Sequence, residues 1–250
     1  MSVAEALAIA AAGIAAGAIN TVGGSGTLLT FPVLIGLGYP PLVANVSNNV
    51  GLVPGAVSGA FGYRRELAGQ RGRVLQLGAF SVAGGLAGAA LLLALPASAF
   101  DAIVPALIAV AVALVVLQPR LVRALAHRRR VDNESSWTLR GLVAASGVYG
   151  GYFGAAQGII LIALLGIAIR DQLQRLNGLK NVLAGLVNLT AGIFFVVFAE
   201  IDWAVAGLIA AGSTGGGLLG ARYARRLSPA LLRALIAVIG CVAIARLVFG

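Results

Sequence analysis

Histidine, lysine and cysteine occur once each in these 250 residues, as His127, Lys180 and Cys241. One cysteine excludes a disulfide framework and a thiolate metal cluster, and one histidine excludes a multi-histidine metal site. No metal and no cofactor is therefore expected. Charge is scarce as well: Asp, Glu, Lys and Arg make up 10% of the chain, against about a quarter in soluble domains. Glu5, Asp101, Glu200 and Asp202 all fall near the ends of apolar segments, so the deep carboxylate relay of a proton-coupled pump is missing. Gly24-Ser25-Gly26 has the outline of a nucleophile turn. Its serine needs a base within hydrogen-bond reach, and the sole histidine lies in a basic stretch far along the chain. The turn also lacks the lysine of a nucleotide-binding loop. No enzyme is expected.

Hydrocarbon fills the space that charge leaves. Apolar residues make up 60% of the chain and the mean hydropathy is +0.98, beyond what a soluble core uses. Glycine is abundant, with 35 residues, which suits helices that approach closely in a solvent offering no hydrophobic drive to associate. The net charge of +10 comes from arginines clustered in short gaps between apolar stretches, the pattern of membrane topology. Nucleic-acid binding is excluded on that pattern. Residues 1–20 are apolar from Val3 and carry no basic n-region, so they read as a retained first span, and no lipidation motif is present. The fold class is all-α: a polytopic, multi-pass protein of a bacterial inner membrane, with the lipid bilayer as its first partner.

Ten apolar segments are separated by Gly/Pro turns or charges, at 3–22, 27–38, 42–63, 73–95, 100–118, 139–157, 158–169, 176–199, 203–221 and 229–249. The second and seventh are too short to span, about 18 Å of helix against a hydrocarbon core of about 30 Å. They read as half-helices. The polar stretch 119–138, with Arg120, Arg123, His127, Arg128, Arg129, Arg130, Asp132 and Glu134, divides the chain near its middle and reads as a cytoplasmic linker. It separates a first transmembrane repeat, 1–118, from a second, 139–250. A shift of 132 positions superposes Gly26 on Gly158, Asn45 on Asn177, Asn49 on Asn181, Gly84 on Gly216 and Gly88 on Gly220. Equivalent loops carry opposite charge. Arg64, Arg65, Glu66, Arg71 and Arg73, net positive, correspond to the loop with Glu200 and Asp202, whereas 95–98 is uncharged and corresponds to Arg222, Arg225 and Arg226. By the positive-inside rule the halves are expected to be inverted, with both termini outside.

An inverted repeat with a broken segment at the same place in each half points to a midplane site between the breaks. The breaks are 20–27, with Asn20, Ser25, Gly26 and Thr27, and 154–158, with Gln157 and Gly158. Each opens a half-helix whose free backbone N–H groups and positive dipole end favour an anion. Beside them, Asn45, Asn48 and Asn49 share one helical face, and the second half repeats the pattern as Asn177, Lys180 and Asn181, with Asn188 two turns on. Intramembrane amides also serve as links between helices. For Lys180 two readings stand side by side: it snorkels to the cytoplasm, or it faces the anion path. Gly84 with Gly88, and Gly212 with Gly216 and Gly220, read as packing surfaces.

The residues Gly13-Ile-Ala-Ala-Gly17, the glycine-rich turn running through Gly26 to Phe31-Pro32, Ala44-Asn45-Val46-Ser47-Asn48 and the second-half copy from Gly147 to Gly158 resemble the TauE/SafE family of bacterial transporters. The resemblance covers nearly the whole chain. It implies a secondary transporter exporting a small sulfur-containing anion: sulfite, sulfoacetate or a related organosulfonate. A passive anion channel and a non-transporting membrane scaffold or sensor are the alternatives, and a homodimer is the candidate assembly.

Overall fold

The computed structural model describes residues 1–127, 136–223 and 229–249. Within them the chain is ten α-helices and no strand: α1 (Val3–Val22), α2 (Thr27–Gly36), α3 (Pro41–Gly62), α4 (Arg71–Ala94), α5 (Ala97–His127), α6 (Trp137–Tyr152), α7 (Gln157–Ala168), α8 (Leu173–Phe198), α9 (Trp203–Tyr223) and α10 (Pro229–Phe249). Among the described residues α1, α4, α5, α8 and α9 are long and apolar enough to cross a membrane. At 10 and 12 residues, α2 and α7 are half-helices.

Local chemistry sets the helix starts. Ser2 and Glu5 form a reciprocal capping box at α1, Ser136 Oγ accepts from Leu139 N at α6, and Asp202 Oδ1 accepts from Val205 N at α9. Two boundaries differ from the sequence reading. Helix α5 does not stop at 118 but runs through Pro119 to His127, because Leu, Ala and Arg after the proline favour helix strongly enough to carry the chain past one missing N–H. Helix α6 does not continue to 157 but ends at Tyr152, where Gly154 (φ 78°) and Ala156 (φ 62°) turn the backbone into the left-handed region. Arg128, Arg129, Arg130, Asp132, Glu134, Arg225 and Arg226 lie outside the described residues.

Small residues set the packing. Helices α1 and α9 run parallel, with Gly212 against Ala10, Gly216 against Ile14 and Gly220 against Ala18. A Cβ added at Gly216 falls on the Ile14 carbonyl oxygen, so only glycine permits the approach. Helices α4 and α6 pair in the same manner, Gly84 against Ala144 and Gly88 against Val148. Both glycine stripes singled out in the sequence are thus helix contacts. Hydroxyls add links across the bundle: Ser213 Oγ donates to Gly51 O (2.9 Å), and Ser58 Oγ to Thr214 O (3.0 Å). At the centre α3 and α8 lie antiparallel, with Gly178 beside Tyr63, Gly185 beside Ala56 and Gly192 beside Val53. Contacts between the halves come in matching pairs: α1 on α9 and α6 on α4, α3 on α9 and α8 on α4, α2 on α10 and α7 on α5.

Candidate functional site

The two broken turns meet. Gly158 N donates to Gly24 O across 3.2 Å, and a Cβ on either glycine would overlap the other's Cα. Gly24 also takes φ 74°, so both conformation and contact demand its missing side chain. Edge-on aromatic contacts brace this junction: Phe31 of α2 with Phe153 (5.2 Å between centroids), and Phe100 of α5 with Tyr152 (5.8 Å).

Beside the junction lies a cavity of about 30 Å³. That is room for a couple of water molecules or a compact ion, since a single water needs about 10–15 Å³ on this measure. Its wall takes Asn20, Thr21, Gly24 and Thr27 from the first break, Gly154, Gln157 and Gly158 from the second, and Lys180, Asn181, Ala184 and Asn188 from α8, with Ala56 of α3 opposite.

Lys180 does not snorkel. It is 1% exposed, and its Nζ donates to Asn20 O (3.0 Å) and Thr21 O (3.3 Å), the last carbonyls of α1. A cation here completes the negative end of the α1 dipole. An ammonium has three N–H groups and these carbonyls take two of them, so donor capacity remains on a side chain that forms part of the cavity wall. Thr21 O also accepts from Asn181 Nδ2 (3.0 Å) and Asn177 Nδ2 (3.4 Å). A second donor on the wall has no partner among the described residues: Gln157 is buried and its Nε2 makes no hydrogen bond to them.

The sequence-selected residues divide in two. Asn20, Thr27, Gln157, Gly158, Lys180 and Asn181 share the cavity. Ser25, Gly26, Asn45, Asn48, Asn49 and Asn177 are buried close by but outside its wall. Asn45 Nδ2 donates to Tyr152 O (2.9 Å) at the end of α6, as Asn177 does to Thr21 O near the end of α1; each half's amide caps the other half's broken helix. Asn48 Oδ1 accepts from the Thr30 hydroxyl, and Asn49 lies beside Gly192.

Three of the backbone N–H groups at the half-helix starts are in use: Gly26 N donates to Asn20 Oδ1 (2.7 Å), Gly158 N to Gly24 O and Ile159 N to Ala156 O (3.0 Å). Side chains add donors to the cavity. Sequence reasoning missed Thr21, which acts through its backbone oxygen and leaves no sequence signal. It noted Asn188 without placing it in the site. The signal was available: Lys180, Ala184 and Asn188 are spaced by four and share one helix face.

The sulfite exporter TauE/SafE family model matches residues 9–247. The chain belongs to that family. It is 25% identical over 235 residues, 94% of this chain and 86% of the relative, to the probable membrane transporter protein YfcA of Escherichia coli (strain K12). It is 26% identical over 239 residues, 95% and 92% of the two chains, to a probable membrane transporter protein of Haemophilus influenzae. A probable membrane transporter protein ORF9 of a Sinorhizobium species is 27% identical over 226 residues, covering 90% and 85%. No solved structure matches. As a TauE/SafE member with five helices able to span, the chain is a multi-pass bacterial membrane protein embedded in lipid, and a membrane transporter.

Proposed function

We propose that the protein exports a small sulfur-containing oxyanion, with sulfite as the leading candidate, and that the anion binds in the cavity between the two broken turns. The carrying observation is the pair of donors there: a fully buried ammonium, with no carboxylate partner among the described residues, and the unpartnered Gln157 Nε2. A buried cation is costly unless something offsets it, and two carbonyls offset only part of that cost. An oxyanion supplies the missing charge and accepts hydrogen bonds from both donors. The small volume favours a compact anion over one with an extended organic tail. The family's name supplies the sulfur chemistry.

The two halves are inverted copies in this reading, and the antiparallel packing of the equivalent helices α3 and α8 supports it. The arginine-rich ends of α3, α5 and α9 then face the cytoplasm, together with the start of α8. An inside-negative potential contributes about 2.3 kcal/mol per 100 mV per expelled charge, enough for a roughly 50-fold outward gradient without a coupling ion. Proteoliposomes loaded with sulfite are expected to release it faster when a valinomycin potassium gradient makes the interior negative, with saturation and counter-transport. Flux that ignores the potential and follows an imposed pH gradient overturns the electrogenic reading. Flux that never saturates makes the protein a channel.

A further inference from the structure

A second cavity, of about 150 Å³, is lined one helical turn back along α8 from the first, towards the arginine-rich end of the bundle. Its wall includes Val22, Tyr63, Gln118, Gln174, Asn177 and Gly220, drawn from the ends of α1, α3 and α9, the second half of α5 and the start of α8. It carries polar side chains beside its apolar ones, whereas the groove at Val53 and Leu189 carries none. The buried Gln174 Oε1 has no partner among the described residues, and Gln118 lines the same cavity. Four of these residues are followed within two positions by an arginine: Tyr63 by Arg64, Gln118 by Arg120, Gln174 by Arg175 and Gly220 by Arg222. Nearby acidic groups are few. Asp171 is clamped by Arg73 and Arg175, and Glu66 sits on the loop after α3. The mouth therefore carries excess positive charge, which concentrates small anions.

A thin partition divides the two cavities. Asn177 faces the larger one and donates to Tyr63 Oη (2.8 Å) and to Thr21 O. Lys180 and Asn181, about one helical turn along α8, face the smaller one and donate to the same Thr21 carbonyl. The hydrogen bond between Asn177 and Tyr63, a tyrosine that is 5% exposed, forms part of that partition.

We propose that the larger cavity is an antechamber in which a small oxyanion is held on the cytoplasmic side, and that the Tyr63–Asn177 pair is the gate admitting it to the Lys180 cavity. This rests on the transport reading. The gate amide caps the broken end of α1 while closed, so moving it also frees one of the three donors on Thr21 O. Gate opening is thereby tied to the end of α1, whose carbonyls accept from Lys180.

Site-directed labelling tests this without reference to any transported substrate. In a Cys241→Ala background, which removes the one exposed native thiol, Gln174→Cys reports on the antechamber and Asn188→Cys on the inner cavity. An anionic and a cationic membrane-impermeant thiol reagent are each normalised to their rate with a free thiol. Gln174→Cys is expected to react in inverted vesicles and not in intact cells, with the anionic reagent favoured at least threefold. Adding Tyr63→Ala is expected to raise Asn188→Cys labelling from the same face about tenfold, and the milder Tyr63→Phe, which keeps the ring, by less. Equal or cation-favoured labelling at Gln174→Cys overturns the antechamber. An Asn188→Cys rate unchanged in both Tyr63 variants overturns the gate. Absence of sulfite flux with the labelling pattern intact instead removes sulfite from the functional reading and leaves the antechamber standing.

Discussion

Replacing Lys180 with methionine separates binding from folding, because the structure assigns different costs to the two. Its carbonyl partners do not become orphans: Asn20 O still accepts from Gly24 N (3.1 Å), and Thr21 O from Asn181 and Asn177. Two charge-assisted bonds are lost, each about 1.5–3 kcal/mol, against relief of several kcal/mol of ammonium desolvation. These terms oppose and are of similar size, so the empty protein is expected to melt close to the parent. The bound anion loses the one cationic contact that the described residues of the cavity wall offer, a cost of about 2–4 kcal/mol, or roughly 30- to 700-fold in affinity. A thermal-shift titration with sulfite reads this directly. At 100 times the parent's Kd the parent gains about 2.7 kcal/mol, whereas a variant weakened 100-fold gains only about 0.4 kcal/mol. An unchanged ligand-induced shift would refute the cavity as the anion site. A collapse of the empty variant's melting point in proportion to its flux would show that Lys180 serves only to cap α1.

Two further expectations concern the scaffold. Gly216→Ala is expected to cost about 1–3 kcal/mol, seen as a lower melting point in detergent, because its Cβ meets the Ile14 carbonyl; Gly215→Ala, with no atom within 4 Å of its Cβ, is expected to be neutral or mildly stabilising, and equal losses at both positions would undo the packing argument. Burial alone pushes the Asp171 carboxyl up, but hydrogen bonds from Arg73, the Gln172 backbone and Arg175 outweigh it and hold the group below its ordinary 3.8. A depressed folded-state value means that the stabilisation is complete above that pH and drains away as pH falls below it. Asp171→Asn is expected to lose about 2 kcal/mol at pH 7 and to flatten the acid limb of a melting-point profile, and an unaltered limb would contradict the clamp.

Element existence was legible because each helix announces itself locally. Apolar length gave the long spans, glycine and charge gave the gaps, and the shortness of 27–38 and 158–169 gave the half-helices without knowledge of their neighbours. What failed depended on the partner across the contact. The Asn45 triplet and the Asn177 triplet look alike as strings, yet the second holds the end of α1 beside a cavity, while Asn48 is tied to Thr30. Periodicity names a face but not what lies opposite. The breaks were legible, but the occupation of Gly26 N and Gly158 N was not, because their acceptors, Asn20 Oδ1 and Gly24 O, belong to the turns' own tertiary fold. Lys180 was undecidable in sequence for the same reason: snorkelling and capping differ only in where the end of α1 lies.

The one asymmetry between otherwise matching triplets fixes where a membrane potential must act. A shift of 132 places Lys180 on Asn48, so only the second half brings a charge to the site. A singly charged anion beside Lys180 makes a neutral pair, whereas the empty site carries one positive charge. A carrier that alternates access moves whatever charge its site holds through the field. Outward passage of the loaded protein is then insensitive to voltage, and the inward return of the empty, positive site is driven by an inside-negative potential. Export of the anion is coupled to the field through the lysine and not through the anion's own transit. Net sulfite efflux is therefore expected to accelerate with inside-negative potential, while sulfite–sulfite exchange, which never returns empty, is expected to ignore it. In Lys180→Asn the charge moves to the loaded step, so residual exchange is expected to become voltage-dependent. Exchange in the parent protein that follows the potential would show that Lys180 does not travel with the site.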